Sequence, residues 1–592
     1  MRLRIVVYAL PLLFLAIFFF YPLGAILQLS FSSGATLPGR SAGLATLLAD
    51  PYYLEVIWFS SWQALLSTGL TLAIGLPAAY VFARYTFRGK ALLRAIATIP
   101  FVMPTVVVAM AFKALLGPRG LLNALLQPLL GLSEPPIRAD QTLALVLLAH
   151  VFYNYSVVLR IVGGFWSTLD TRLEQAAGVL GASRARAFRE VTLPLLLPAI
   201  GAAALLVFIF TFSSFGVMRI LGGPRFATVE VEIYRLTSDL PRLDVAAALS
   251  LVQMAVTLLM TMVYTRLQER AAVPLEVRAR ATNVRPARGW RERLIVAANL
   301  GALLLLLGAP LAALALGSVT SLAPDAGAAL TLDYYRMLGR NPTRSAFFVP
   351  PLTAIGNSLR FALAATALAL SVGVPAAYLL ARQATNDQRP TTNDQRPAGI
   401  ALGPPSVNLW SLVLRPWPLM ARLLDPLFML PLGTSAVTLG LGYIVALSRP
   451  PLNLLTSPWL IPVAHALLAF PFVTRSLLPA LRGLDPRLRE AARALGAGPL
   501  RVLREVDLPL LLPALLVGAV FAFTVSIGEF GAALLLARPE YQTVPVVIDR
   551  LIGLPGQSNY GQALALSSLL MGVTASGFLL LERARIRDIG EF

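Results

Sequence analysis

Few residues in the apolar segments of this sequence carry side chains able to do acid-base or metal chemistry. The clearest is Glu529, in the segment TVSIGEFGAALLL. A carboxylate among apolar residues is costly unless it is paired or functional, so Glu529 is a candidate functional residue. Ser214, in FSSFGVM, is its equivalent in an internal repeat described below, so any acidic site is predicted to be asymmetric between the two halves. The alternative is a structural role, in which Glu529 hydrogen-bonds serine or backbone groups between helices.

The two histidines of the chain, His150 and His465, occupy matching positions in that repeat. Two imidazoles with no carboxylate or thiolate nearby in sequence are a poor set of metal ligands. A role in helix packing is favoured for both, and we predict no metal site. The absence of cysteine from the sequence excludes disulfides, thiolate catalysis and iron-sulfur ligation.

Motifs for nucleotide binding or hydrolysis are absent from the sequence. The fragment nearest to a G-x-x-x-x-G-K-[ST] phosphate loop, Arg88-Gly89-Lys90-Ala91, lacks the preceding glycine and the hydroxyl residue. No H-E-x-x-H or G-x-S-x-G motif occurs either. We therefore expect a chain that is not an enzyme and holds no cofactor, with any ATP bound by partner subunits.

The composition places these residues in a membrane protein. Mean hydropathy is +0.73 and 13% of residues are charged, whereas about a quarter are charged in soluble domains. The apolar runs are long and continuous, which predicts helices and argues against a β-barrel. Twelve runs could cross a bilayer: 5–29, 57–83, 93–116, 141–162, 193–215, 244–265, 294–318, 354–381, 426–447, 458–478, 508–536 and 560–582.

Basic residues predict the orientation of these spans. Eight arginines fall between Arg266 and Arg293, in the middle of the chain, and such a segment should stay in the cytoplasm. With six spans on each side, both termini are then cytoplasmic. The same rule accounts for the net charge of +20 without a nucleic-acid partner, because no soluble basic domain is present. The N-terminal apolar run is read as a retained first span.

An internal repeat relates the two halves of the sequence. GLPAAYVFAR at Gly75 matches GVPAAYLLAR at Gly373, and the correspondence continues through Phe215-Gly216 with Phe530-Gly531. The fold class predicted is an all-α membrane protein of about twelve spans, arranged as two parallel six-helix repeats. The predicted domains are residues 1–270, a basic linker at 271–293, and residues 294–592. TNDQRP occurs twice within 385–397, which favours a flexible cytoplasmic loop over a docking peptide.

One polar segment is duplicated with particular fidelity. Residues 169–199 and 484–514 share 20 of 31 residues without a gap, and each copy follows the fourth span of its half. Asp170 and Asp485 are placed to cap a short helix, and Gly181 and Gly496 to end it. Each helix has a small apolar face at helical spacing: Leu173, Ala176, Ala177 and Leu180 in the first copy, and Leu488, Ala491, Ala492 and Leu495 in the second.

An isolated helix of this length is marginally stable in water, so it needs a partner. A lipid surface is one alternative, since arginines flank the apolar face. A lipid-binding face would normally carry larger apolar residues than paired alanines. Small residues let another protein approach closely, so the pattern favours protein docking.

These segments resemble the EAA loop of permease subunits in bacterial ATP-binding cassette importers. The resemblance covers essentially the whole chain, as two fused permeases similar to ferric-iron and thiamine importers. It implies that each loop seats a coupling helix in one ATPase subunit. The second copy matches the motif fully, whereas the first has Gln175 where the motif has glutamate, preceded by Glu174. The docking residues so implied are Glu174, Gln175, Ala176, Ala177, Gly181, Glu490, Ala491, Ala492 and Gly496.

The resemblance also sets the predicted partners and location. It implies two copies of a cytoplasmic ATPase, an extracytoplasmic solute-binding protein and a bacterial inner membrane. The substrate expected is ferric iron or thiamine, with Glu529 and Ser214 as candidate pathway residues. A secondary transporter with two six-helix repeats is the alternative, although it would not need paired docking helices. A membrane enzyme is disfavoured because the sequence lacks catalytic motifs.

Overall fold

A computed structural model of the chain describes residues 2–32, 43–271, 284–323, 327–340, 349–387, 418–448, 450 and 452–589. Helices dominate these residues. The first half contains α1 (Arg2–Leu15), α2 (Tyr21–Phe31), α3 (Gly43–Ala49), α4 (Pro51–Arg84), α5 (Lys90–Val102), α6 (Thr105–Leu116), α7 (Leu121–Leu130), α8 (Leu143–Thr168), α9 (Thr171–Val179), α10 (Arg184–Ala187), α11 (Leu193–Phe212), α12 (Val229–Ser238) and α13 (Leu243–Ala271).

The second half repeats this order of helices. It contains α14 (Trp290–Val319), α15 (Asp333–Met337), α16 (Pro351–Asp387), α17 (Pro418–Met429), α18 (Ala436–Ala446), α19 (Leu460–Gly483), α20 (Pro486–Ala494), α21 (Pro499–Val502), α22 (Leu508–Gly528), α23 (Gly531–Leu536), α24 (Val544–Gly553) and α25 (Gln557–Ile589). Single π-helical turns connect α1 to α2 (Ala16–Phe20), α10 to α11 (Phe188–Thr192) and α21 to α22 (Leu503–Asp507).

Two short ladders also form among the described residues. β1 (Tyr85–Thr86), directly after α4, pairs in parallel with β2 (Arg285–Pro286), which lies in the segment joining the halves. β3 (Thr320–Ala323) and β4 (Gly327–Leu330) form an antiparallel pair after α14. The first ladder anchors one end of the predicted linker 271–293 to the first half; residues 272–283 of that linker lie outside the described residues.

The helical fold class is confirmed. Eleven helices among the described residues are long and apolar enough to cross a membrane, or twelve if the bent pair Leu424–Gly433 and Ala436–Ala446 is one span. Within residues 385–397, the first three end α16 and the rest lie outside the described residues.

Two of the predicted spans are interrupted in the structure. The span predicted at 93–116 is broken between α5 and α6, next to Pro104, and the one at 426–447 bends by 97° before α18. A proline near each break, Pro104 and Pro431, explains them, because proline cannot donate the helical hydrogen bond. The length of an apolar run predicts that a segment can span the membrane. It does not show where the helix breaks if the residues at the break are apolar too.

The first helix of each half packs against the other half. α2 contacts α18 and α1 contacts α16, whereas α14 packs against α6. Gly442 of α18 leaves the room for this contact, since a β-carbon there would lie 3.1 Å from Pro22 of α2. This exchange joins the two repeats more firmly than a single linker would.

Equivalent hydrogen bonds confirm that the halves are built alike. The Ser60 hydroxyl accepts a hydrogen bond from the backbone N–H of Val229 at 2.9 Å. The Ser358 hydroxyl does the same for Val544 at 2.8 Å. Each bond ties α12 or its equivalent α24 to the second long helix of its half. The repeat found in the sequence is therefore a structural repeat as well.

Candidate translocation cavity and docking helices

A cavity of about 390 Å³ lies where the two halves meet. Its walls are formed largely at breaks in helices, two from each half: residues 103–105, 213–217, 435–437 and 528–531. Backbone that leaves a helix within a membrane is tolerated where it is buried in protein or lines a cavity. Such breaks between repeats are a common location for substrate sites in transporters.

Phe215 and Phe530, the residues matched by the repeat, contact each other in the wall of this cavity. Their rings stack with centroids 5.3 Å apart, and both side chains are buried. The pseudo-twofold axis therefore passes close to this pair. Aromatic pairs of this kind add about 0.5–1.5 kcal/mol beyond their buried area, so the pair stabilises the contact between the halves at this point.

Glu529 lies at the break between α22 and α23 and lines the cavity. Its carboxylate accepts hydrogen bonds from the backbone N–H groups of Ala532 and Ala533, both at 3.0 Å. Nε2 of His465 lies 3.1 Å from its Oε2 atom. Glu529 thus caps α23, as the structural alternative requires, and contributes to the cavity wall, as a pathway role requires.

Ser214 and His150 take the equivalent positions in the first half. Nε2 of His150 lies 3.0 Å from the Ser214 hydroxyl, and Nδ1 lies 3.0 Å from the Ser67 hydroxyl. His465 likewise lies 2.8 Å from Ser526 through Nδ1. Both histidines bridge helices within their own half. The structure also places a carboxylate beside His465, which sequence spacing alone did not suggest.

A second acid, Glu230 at the start of α12, also lines the cavity and was not predicted from the sequence. It is fully buried and accepts hydrogen bonds from Gln253 and from the Ser435 hydroxyl of the other half. The cavity wall therefore carries two acids, Glu230 from the first half and Glu529 from the second. In the sequence, the two glutamates of VEVEIYR look like exposed residues of a helix in a loop. The position of Glu230 in the cavity wall becomes visible only in the folded structure.

Burial raises the pKa of Glu230 from 4.5 to about 7, although the hydrogen bonds from Ser435 and Gln253 lower it and the nearby Glu529 carboxylate raises it. Glu230 lies on α12, which is not one of the candidate membrane spans. A carboxyl with a pKa in this range changes charge near neutral pH. A cation in the cavity would favour its ionised form.

The chemistry of the cavity wall is apolar and aromatic around these few polar groups. Rings from both halves contribute to it: Phe101, Tyr153, Phe210, Phe215, Phe472, Phe521 and Phe530. Across the described part of the chain, no three His, Cys, Asp or Glu side chains come together as metal ligands. Aromatic rings and carboxylates together suit an organic cation, which the rings attract through their faces.

The duplicated segments form the predicted short helices. Asp170 caps α9 by accepting from the N–H of Arg172 at 2.9 Å, and Asp485 caps α20 in the same way through Arg487. After each helix the chain turns at a glycine in the left-handed region, with φ of +85° at Gly181 and +83° at Gly496. Other residues rarely adopt this conformation, which explains glycine at both positions.

Both helices present an apolar surface that the described residues do not cover. Leu180 is 88% exposed and Leu495 is 89% exposed, beside Gln175, Ala176, Glu490 and Ala491, which are exposed as well. Ala177 and Ala492 are partly buried. Apolar residues exposed together at the tip of a rigid turn are typical of a surface that binds another protein.

Glu174 has its carboxylate engaged within the chain. It pairs with Arg84 of α4 at 2.6 Å and accepts from the Thr192 hydroxyl at 2.8 Å. In the second copy the equivalent residue is Arg489, and it pairs with Asp507 at 2.7 Å. The residue on the short helix changes from acidic to basic, but the Glu174–Thr192 and Arg489–Asp507 contacts each tie the short helix to the π-helical turn that leads into the next span. The docking role predicted for Glu174 stays a prediction. Because its carboxylate is engaged within the chain, the surface of α9 that is open to a partner is formed by its exposed neighbours.

The duplicated six-helix units, the cavity at their junction and the paired protruding helices define a membrane transport permease with both halves in one chain. The chain belongs to the family described as binding-protein-dependent transport system inner membrane component, which it matches at residues 71–273 and again at residues 397–587. It is therefore a permease subunit of an ATP-binding cassette importer and a multi-pass membrane protein.

Full-length relatives share the fused arrangement. The chain is 27% identical over 543 residues to a probable ABC transporter permease protein, y4fN, of Sinorhizobium fredii, covering 89% of this chain and 87% of the relative. It is 26% identical over 561 residues to the thiamine transport system permease protein ThiP of Salmonella typhimurium, covering 92% of each. A bacterial ABC transporter that imports the acidic polysaccharide alginate matches 44% of this chain and 93% of its own, at 18% identity and a TM-score of 0.37.

Proposed function

We propose that this chain forms the complete translocation pathway of an importer for a small organic cation, and that the cation is thiamine. The observation that carries this proposal is the cavity between the halves, where Glu230 and Glu529 face apolar and aromatic walls. Its volume of about 390 Å³ lies in the range typical of small-molecule sites. Similarity to thiamine permeases over most of the chain supports the same substrate.

Ferric iron was the other substrate suggested by the sequence, and the cavity supports it less well. A hard cation requires several oxygen or nitrogen ligands around one point. Among the residues that the structure describes, no such cluster of three acidic, histidine or cysteine side chains forms. Thiamine needs only charge compensation and apolar contact, which the cavity wall offers.

Energy for import is proposed to come from two copies of a cytoplasmic ATPase, one seated on α9 and one on α20, with both termini of the chain in the cytoplasm. An extracytoplasmic solute-binding protein would deliver the substrate. ATP would be bound by the ATPase subunits. Coupling then requires that the nucleotide state changes how the two halves meet at the cavity. The matched geometry of the two exposed helices supports two equivalent docking sites.

Uptake by the reconstituted system tests the substrate. Proteoliposomes containing the chain, its ATPase and its binding protein are expected to accumulate labelled thiamine only when ATP is supplied, with excess unlabelled thiamine blocking the signal. Ferric citrate at the same concentration should leave uptake unchanged. ATP-dependent accumulation of iron without thiamine transport would contradict the assignment.

The pH dependence of uptake provides a further prediction. Glu230 is mainly ionised above its pKa of about 7 and mainly neutral below it. Because a cation is attracted by the ionised form, we expect the apparent KM for thiamine to rise severalfold between about pH 8 and about pH 6. Glu230→Gln removes the titrating carboxyl while keeping the size of the side chain, so it provides the control. A pH profile that Glu230→Gln leaves unchanged would exclude Glu230 as its source.

A further inference from the structure

A second cavity, of about 500 Å³, lies beneath the first short helix at the end of the bundle that carries it. α9 and α10 form one wall, and the ends of α4 and α8 form another. Val284 and Arg285, from the segment that joins the two halves, close a third side. This cavity is separate from the one between the halves and shares no lining residue with it.

The wall of this second cavity is basic. Arg84, Arg184 and Arg285 line it, and Glu174 is the one acid among its lining residues. Arg84 pairs with Glu174, and Arg285 pairs with Glu292 at 3.2 Å and donates to the Tyr85 hydroxyl at 3.2 Å. Arg184 is exposed and is in no ion pair recorded for the described residues. The excess of positive charge favours an anion in the cavity.

Two buried donors on the same wall lack acceptors. Arg84 is 6% exposed and its Nη1 has no hydrogen-bond partner within the described residues. Trp166 is 4% exposed and its Nε1 is unpartnered in the same way. Buried donors in native proteins are nearly always paired with protein, water or ligand, so these two point to an acceptor that enters the cavity.

The position of the cavity suits a phosphate group. Arg84 is the last residue of a candidate membrane span, and Trp166 lies two residues before the end of another. Tryptophan is enriched where a span meets the lipid headgroups, so this wall lies at that depth. Arginine recognises phosphate through two parallel hydrogen bonds, and an indole N–H supplies one more donor.

We propose that the second cavity is a binding site for a phosphate-type oxyanion, formed jointly by the first docking helix and the segment that joins the halves. The phosphate belongs either to an anionic lipid headgroup or to a soluble phosphate compound. In both cases the ligand fixes α9 to β2 and so sets the position of one docking helix. The proposed site gives the first half a binding site for a second ligand. This proposal does not depend on which substrate crosses the membrane.

Binding to the full chain tests this site. The protein is placed in nanodiscs of phosphatidylcholine, and binding of inorganic pyrophosphate is measured by calorimetry. In parallel, nanodiscs containing phosphatidylglycerol are used, and retained phosphatidylglycerol is counted by native mass spectrometry. The variants are Arg184→Gln and Arg285→Gln, whose side chains are exposed and leave the Arg84–Glu174 pair intact. Arg189→Gln, an exposed arginine of the same segment outside the cavity lining, is the matched control.

Saturable binding of at least one probe is expected, weakened about tenfold by Arg184→Gln and by Arg285→Gln and unchanged by Arg189→Gln. Retention of phosphatidylglycerol that pyrophosphate cannot displace identifies the lipid headgroup as the source of the phosphate. Saturable binding of pyrophosphate without retention of phosphatidylglycerol identifies a soluble phosphate compound. If neither probe binds saturably, or if Arg189→Gln weakens binding as much as the cavity variants do, the site is excluded. Thiamine uptake is not the readout, so failure here leaves the proposed function untouched.

Discussion

Replacing Leu180 and Leu495 together by aspartate is expected to abolish coupled transport while the permease still folds. Both side chains are almost fully exposed, at 88% and 89%, so neither supports the permease core. If each is buried in an ATPase groove, its loss removes about 1.5–3 kcal/mol of docking free energy, and the new charge adds a desolvation cost. We expect ATPase affinity to fall about tenfold or more for each single variant, measured with the reconstituted permease.

A matched control separates docking from general surface effects. Leu330 is 82% exposed at the end of β4, away from the duplicated segments. Leu330→Asp therefore replaces an exposed leucine by a charged residue outside the proposed docking surface. It should leave ATPase binding and uptake unchanged. If the double variant couples transport as well as the original chain does, the short helices are not docking surfaces.

The second large effect is expected at Glu529. Glu529→Ala removes the acceptor of two buried N–H groups and the partner of His465, and each buried group left unsatisfied costs about 1–3 kcal/mol. Glu529→Gln keeps the shape and one acceptor oxygen but loses the charge. We expect the alanine variant to be unstable and the glutamine variant to fold with thiamine uptake about tenfold lower.

Thermal unfolding and uptake measured on the same samples distinguish the two roles of this residue. Ser214→Ala, at the equivalent position of the first half, is the control and should have a small effect on uptake, because it removes no charge. A stable Glu529→Gln variant with unchanged uptake would assign Glu529 to helix capping alone. An unstable one would show that the capping hydrogen bonds require both carboxylate oxygens.

Local signals in the sequence predicted the duplicated helices in detail. Aspartate caps, an apolar face at helical spacing and a terminal glycine are each set within a few residues, and the structure has Asp170 and Asp485 as caps and Gly181 and Gly496 in the left-handed region. The helical fold class followed from the length of the apolar runs in the same way. These features depend on interactions between residues close together in the chain, so they can be predicted from a short stretch of sequence.

Features that depend on tertiary contact could not be predicted. The role of Glu230 arises because Ser435, from the other half, reaches it across the interface. The break before α18 leaves an apolar run uninterrupted, so hydropathy alone gives one straight span. The exchange of first helices also leaves no local trace, since α2 would be equally apolar against either half. Long-range packing decides each of these.

The reversed charges at the base of the two short helices show how the repeats have diverged. Glu174 with Thr192 in the first half corresponds to Arg489 with Asp507 in the second, and both keep a contact at the same place. A fused chain can hold two different versions of one contact, because each half has its own sequence. The second cavity is lined by Arg84 and Glu174, so it uses the first half's version of this contact.

The most direct test of the account is the stoichiometry of the assembled complex. The central claim is that one chain supplies both halves of the pathway and two docking helices. Native mass spectrometry of the purified complex should give one permease chain with two ATPase subunits. The permease with Leu180→Asp or Leu495→Asp alone should carry one ATPase subunit, and the permease with both substitutions should carry none. A complex with two permease chains, or one whose composition ignores these substitutions, would contradict the claim.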